Sequence, residues 1–211
     1  FIGALIGDGA ITRNKSNTGR LIFSLSDQDK ELKNRILKIA KDLFGLVPSV
    51  QKKKNDASTN YFFASTTLVD WLQFIGVDKP SSLTVRAPEI VFSATREFAR
   101  GFLRGLFSTD GTVTKEGYPS LCSVSEGLIK EVQQLLLSLG IPTRILKTTN
   151  REGSFGKNPL YKLNVITSGG IRKFAQDIGF IGVKKNKRLK NAARKAWEFN
   201  DIIPNQQELL R

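Results

Sequence analysis

The sequence predicts an α+β protein in which one unit, ordered helix-strand-strand-helix-strand-strand-helix, is built twice. Three observations carry this. Most of the 211 residues fall into an internal repeat. Apolar positions switch between a spacing near 3.6 and a spacing of 2 in the same order in both halves. Glycine, asparagine and serine clusters separate the segments. The length suits two units of about a hundred residues, and the repeat divides at 1–93 and 94–211.

The repeat is clearest where Phe1-Ile-Gly-Ala-Leu-Ile-Gly-Asp8-Gly9 is echoed by Leu103-Arg-Gly-Leu-Phe-Ser-Thr-Asp110-Gly111. Arg96–Ser108 reads as an apolar-rich helix closed by Asp-Gly, and Phe1–Gly7 as the last turns of its counterpart. Glycine after such a helix is expected as a stop because it tolerates the left-handed conformation. Ala10–Lys15 and Arg20–Leu25 alternate as strands around Ser-Asn-Thr-Gly, a hairpin signal. Leu32, Ile36, Ile39, Ala40 and Leu43 share one helical stripe. Val47–Lys54 and Tyr61–Ser65 form a second hairpin, and Leu68–Ile75 a short helix. The second unit repeats the order with strands Thr112–Lys115 and Leu121–Val124, helix Leu128–Leu139, strands Thr143–Thr148 and Tyr161–Thr167, and helix Ile171–Ile178. A basic helix from about Asn186 to Phe199 closes the chain.

Composition narrows the chemistry. There is no histidine, so His-based triads, His general bases and His-ligated zinc are excluded; one cysteine, Cys122, forms no internal disulfide or thiolate cage. A lone thiol suits an intracellular, reducing compartment. The longest uncharged runs, Ala57–Val69 and Val132–Thr143, are too short to span a bilayer. Catalysis must rest on carboxylates, lysines, hydroxyls and oxygen-held metals. The chain opens on Phe1 and contains no Met, so its numbering is expected to start inside a longer polypeptide. A formal charge of +14, concentrated in the second unit, points to a polyanionic partner, with nucleic acid ahead of membrane.

Gly3 and Gly7 lie four apart on one helix, and Gly101, Gly105 and Thr109 form the same stripe on the other. Glycine inside a helix costs about 0.5–1 kcal/mol relative to alanine, and close backbone packing of two helices gives that cost a reason. If the helices pack side by side about a pseudo-twofold axis, Asp8 and Asp110 emerge as neighbours. Two adjacent carboxylates beside helix C-termini repel unless a cation joins them. Mg²⁺ suits such a site, since it binds oxygen and pairs one or two carboxylates with substrate phosphates. Lys79 and Lys185 occupy equivalent Gly-Val-x-Lys blocks and are candidates to stabilise phosphorane charge or polarise water. A single Asp-Gly is an ordinary helix end; two at matching repeat positions read as a site.

These residues resemble the paired motifs of LAGLIDADG homing endonucleases, in the single-chain, two-repeat form found in inteins. Both nonapeptides match at the glycine, the hydrophobic positions and the terminal Asp-Gly. Ile6 and Ser108 replace the family's earlier aspartate. The resemblance implies two αββαββα units, each with a curved antiparallel sheet along the DNA major groove, packed through the motif helices. It implies catalytic acids at Asp8 and Asp110, and two or three Mg²⁺ sites held by those acids with the preceding Gly7 and Thr109. Mn²⁺ or Ca²⁺ can substitute in binding. It also implies a monomer that cuts both strands of a long asymmetric target to leave 3′ overhangs. Asp201-Ile-Ile-Pro204 looks like an exit into another module, such as a host intein.

The expected DNA-reading residues are Arg13, Lys15, Arg20, Gln51, Lys53, Lys115, Arg144, Lys147 and Lys162 on the strands and turns. Arg151 and Lys157 join them from a loop, and Lys187 and Arg188 from the closing helix. Arginine and lysine suit guanine edges and phosphates, and glutamine or asparagine suit adenine. A one-residue slip in strand register inverts which of them face DNA. An RNA-splicing maturase, a non-cleaving DNA-binding protein and an inert remnant are the competing readings on the same scaffold.

Overall fold

The computed structural model describes residues 1–53, 57–149 and 158–195, with residue 195 described by its backbone alone. The first unit comprises α1 (Ile2–Asp8), β1 (Gly9–Arg13), β2 (Gly19–Ser26), α2 (Lys30–Phe44), β3 (Ser49–Lys52), β4 (Ser58–Ala64) and α3 (Thr66–Phe74). A short helix, α4 (Ile90–Ser93), leads into the second unit. That unit holds α5 (Arg96–Asp110), β5 (Gly111–Val113), β6 (Pro119–Ser123), α6 (Glu126–Ser138), β7 (Thr143–Thr148), β8 (Leu160–Val165), α7 (Ser168–Asp177) and α8 (Val183–Lys195). The strands form two four-stranded antiparallel sheets with equivalent orders, β1-β2-β4-β3 and β5-β6-β8-β7.

Alternation fixes the faces of each sheet. Leu21, Phe23 and Leu25 of β2 are buried together with Tyr61 and Phe63 of β4, and Leu121, Leu163 and Val165 take the matching role in the second sheet. The helices cover these faces. Burying such side chains stabilises by about 1.5–3 kcal/mol each, and one continuous apolar core results. The opposite faces stay open. Hydroxyl caps start the helices where the sequence supplies them: Ser65, Thr95, Ser125 and Thr167 each accept a main-chain N–H at the first turn of α3, α5, α6 and α7.

The two units meet along α1 and α5. A Cβ on Gly3 would lie 1.9 Å from the Phe102 carbonyl oxygen and 2.8 Å from the Leu106 nitrogen, and one on Gly105 would lie 2.9 Å from the Ala4 nitrogen. Backbone touches backbone there, with no room for a methyl group. Gly7 faces Thr109, whose Oγ1 would sit 2.0 Å from an added Cβ. Gly101 corrects the expectation: it is exposed and a Cβ there meets no atom within 4 Å.

The glycines after the acids also act differently from a left-handed stop. Gly9 and Gly111 are extended, with φ −91° in both. The chain turns from helix directly into strand, and a Cβ would come within 2.5 Å of the Leu5 or Phe107 carbonyl oxygen. Close approach, not positive φ, selects glycine here. The left-handed cap occurs at Gly45, φ 65°, behind α2. The connection between units is pinned to α6: Glu131 accepts 2.8 Å bonds from Arg86 Nε and the Ala87 N–H, and Ser125 Oγ donates to the Val85 carbonyl at 2.7 Å. Sequence periodicity does not reveal α4, whose four residues are too few to show a helical repeat.

Gly3→Ala is expected to lower stability by about 2–3 kcal/mol through overpacking. Gly101→Ala is expected to leave it unchanged or raise it by up to about 1 kcal/mol through helix propensity. Urea unfolding of the two variants reads both effects, and equal destabilisation would contradict the placement of the contact.

Candidate active site

The α1–α5 contact brings the ends of both helices to one point. Asp8 and Asp110 end their helices side by side, close enough for the two carboxyl groups to hydrogen-bond to each other. Asp110 is half-buried, while Asp8 keeps an exposed edge toward solvent. Burial raises the pKa of Asp8, opposed by the charges of Lys79 and Lys185. Asp110 is pushed up to about 6, first by burial and then by the charge of Asp8. Without added cations Asp110 keeps its proton until pH rises through about 6.

Lys79 and Lys185 close the site from either side. Lys79 Nζ donates to the Gly7 carbonyl, and Lys185 Nζ donates to the Ser108 carbonyl at 2.7 Å and the Thr109 carbonyl at 3.4 Å. Each lysine thus grips the last turn of its own unit's motif helix. Burial lowers both lysine pKa values, and the neighbouring aspartates hold them up.

The positions of the family's earlier acid serve structure. Ile6 is in the core. Ser108 donates to the Arg104 carbonyl at 2.6 Å and accepts the Ile181 N–H at 2.9 Å, which ties down the turn before α8. Asn186 accepts the Phe180 N–H at 3.0 Å in the same turn. These bonds orient the start of α8 and hence Lys185.

One charged group is missing from the sequence-derived set. Asp29, at the start of α2, adds negative potential at Asp8 and Lys185. It has no counterpart in the repeat, since Ser125 stands at the start of α6, and no spacing marks it. The donors around the acids are all oxygens: two carboxylates and the carbonyls of Gly7 and Thr109. That set fits a hard divalent cation. Among the described residues no cluster of three or more acidic, histidine or cysteine ligands occurs, so water or substrate oxygens would complete the coordination.

The architecture matches homing endonucleases of known structure. I-DmoI aligns with a TM-score of 0.61 at 17% identity, covering 84% of this chain and 92% of that one. I-DmoI in complex with DNA and Mn gives 0.61 at 19% identity, with the same coverage. I-WcaI bound to its DNA recognition sequence gives 0.54 at 16% identity, covering 89% and 83%. Residues 97–179, the span from α5 to the end of α7, match the LAGLIDADG-like domain family, and the chain as a whole has the two-repeat fold of these endonucleases.

Curated relatives carry a similar stretch inside much longer proteins. A DNA polymerase of Thermococcus hydrothermalis is 32% identical over 200 residues, which is 90% of this chain and 11% of the polymerase. The replicative DNA helicase DnaB of Rhodothermus marinus is 28% identical over 225 residues, 97% of this chain and 23% of the helicase. The chain thus spans about a tenth to a quarter of the relatives it matches.

Within this LAGLIDADG frame, register decides which basic residues face outward. Arg20 and Gln51 lie on the open face of the first sheet, and Arg144 and Lys162 on that of the second. Lys15 and Lys115 sit in the exposed turns after β1 and β5, and Lys53 follows β3. Arg13 is a correction. It falls on the helix-covered face, opposite Gly19, and is tied to Asp70 and to Gln73 at 2.8 Å on α3. Lys147 is a second: paired with Tyr161, it points to the helix side and sits 5.6 Å from that ring centre. Lys187 lines an apolar groove with Phe1, Phe44 and Trp71, at the opposite end of α1 from the acids, while Arg188 is exposed on α8. Arg151 and Lys157 lie outside the described residues.

The raised acids destabilise the metal-free LAGLIDADG core once ionised. A carboxyl whose folded pKa exceeds its unfolded value contributes stability below the unfolded value, near pH 4, and loses it as pH rises through about 6. Asp110→Asn is therefore expected to be more stable than the parent at pH 7–8, by roughly 1–2 kcal/mol, with the difference vanishing below pH 4. Thermal melts in chelator across that range test it; a constant offset at all pH values would contradict it.

Proposed function

We propose that the chain is a monomeric, site-specific double-strand DNA endonuclease that works with divalent metal. The observation that carries this is the meeting of Asp8 and Asp110 at the junction of α1 and α5, where the first strand of each sheet begins. A duplex whose phosphates reach that point must run across both open sheet faces. The +14 charge favours it electrostatically.

The chemistry follows from the site. Water attacks phosphorus, one P–O ester bond breaks, and the departing alcohol takes up a proton. Asp8 and Asp110 would hold Mg²⁺, with the remaining lone pairs of the Gly7 and Thr109 carbonyls, and the ion would supply an activated water and offset the developing charge. Mn²⁺ or Ca²⁺ could occupy the same oxygens, in keeping with I-DmoI structures solved with Mn, Mg and Ca. Lys79 and Lys185 present one ammonium group per unit to the non-bridging oxygens. Their lowered pKa values ease proton donation to a leaving oxygen. Two reaction centres this close reach phosphates that face each other across the minor groove, about 6 Å wide. Such phosphates are offset to the 3′ side, so the cut leaves 3′ overhangs. Two open faces with different side chains imply a long asymmetric target.

The relatives support a mobile host relationship. The same module occurs in a polymerase, a helicase and a Methanocaldococcus jannaschii aminotransferase, proteins with no shared chemistry. An inserted endonuclease, as in an intein, accounts for that distribution.

Asp8→Asn or Asp110→Asn is expected to slow duplex cleavage at least about a hundredfold while leaving target binding within a few-fold. Chelator should stop the parent enzyme, and Mg²⁺ should restore it. Cleavage undiminished in either variant would refute the assignment. Tight binding without cleavage by the parent would move it to the maturase or DNA-binding class.

A further inference from the structure

The two open sheet faces can be compared row by row, because both sheets have the same strand order and are entered from equivalent glycines. In the first sheet, register places Ala10, Ile22, Phe62 and Ser49 in one row across the strands. The equivalent row of the second sheet is Thr112, Ser120, Asn164 and Arg144. The next row is Ser24, Asn60 and Gln51 in the first sheet, and Cys122, Lys162 and Leu146 in the second. The chemistry of the two faces differs at every step.

On the first face, Ser24 Oγ donates to Asn60 Oδ1 at 2.6 Å, a bond that spends one carbonyl lone pair and leaves the amide N–H₂ and the second lone pair of Asn60 to other partners. Exposed Gln51 lies directly across from it. Side-chain amides pair with the donor and acceptor edge of adenine. The row beside them offers half-buried Ile22 and Phe62, apolar surface suited to a thymine methyl. Arg20, on the same face, is drawn over the Phe62 ring at 5.7 Å.

On the second face, Arg144 is exposed and Lys162 half-buried, on adjacent strands and in successive rows. Both are suited to the two acceptors of guanine. Beside Arg144, Asn164 is 8% exposed and its Oδ1 has no hydrogen-bond partner among the described residues. An unspent buried acceptor in a reading face calls for a donor from what lies on it, and the cytosine amino group paired with guanine is one. None of the residues in these rows is acidic.

We propose that the two repeats read half-sites of opposite composition: A·T pairs under the first sheet, through Asn60, Gln51, Ile22 and Phe62, and G·C pairs under the second, through Arg144 and Lys162. This rests on the endonuclease reading above.

The test is selection of cleaved duplexes from a fully randomised library with the intact chain in Mg²⁺, repeated with Arg144→Gln/Lys162→Gln and with Gln51→Ala/Asn60→Ala, each checked for folding by circular dichroism. The parent should enrich a site with one A·T-rich and one G·C-rich flank. The Arg144/Lys162 variant should lose about tenfold or more of its guanine preference per contacted pair in the G·C flank only. The Gln51/Asn60 variant should relax the other flank only. A selected site with flanks of equal composition would overturn the inference and leave the endonuclease reading intact. So would an Arg144/Lys162 variant that is uniformly weaker across sequences, the behaviour of phosphate contacts. No enriched sequence at all would overturn both.

Discussion

Everything at the reaction centre depends on backbone contact between α1 and α5. Gly3 and Gly105 face each other with no space for a methyl group, and this fixes where the two helices end. A wider crossing with side chains interposed would separate the helices by the usual 8–10 Å or more and divide the acids between two remote half-sites. Glycine is unfavourable within a helix, and here its cost secures proximity. The same logic governs Gly9 and Gly111, where the chain leaves the helix under its own preceding carbonyl and sends each first strand outward from the acid. Helix packing, acid placement and sheet origin are one geometric solution used twice.

That solution places like charges together in a partly desolvated site. Burial first, and then the charge of Asp8, holds Asp110 up at about 6 against the two lysines. Each lysine is also held by a main-chain carbonyl of the turn that carries the acid. The lysines and the acids are therefore held against the same main-chain turns, and a divalent cation between the acids would relieve their repulsion. Asp29 tilts the balance toward one side, so the two halves of the centre are not electrostatically equivalent.

Much of this is legible in the residues. The duplicated Asp-Gly motif, the alternation of β2 and the helical stripe of α2 each rest on a strong local period, and the observed elements follow them closely. Face assignment of charged strand residues is less legible. Arg13 and Lys147 sit at strand ends where a long side chain can fold toward a helix, and their partners Asp70, Gln73 and Tyr161 are remote in sequence or on another strand. Gly101 shares the spacing of Gly105, but no atom lies within 4 Å of a Cβ there. Asp29 acts through space from a position with no motif. Periodicity reports local structure, while these roles belong to tertiary proximity.

The most direct measurement is a carboxyl-carbon NMR titration of Asp8 and Asp110 in the metal-free protein, repeated for Asp110 in Asp8→Asn. Neighbouring acids require Asp110 to titrate near 6 in the parent and its midpoint to fall once Asp8 is neutral. An Asp110 midpoint that is ordinary, or that ignores the loss of Asp8, would mean the two helices do not bring the acids together.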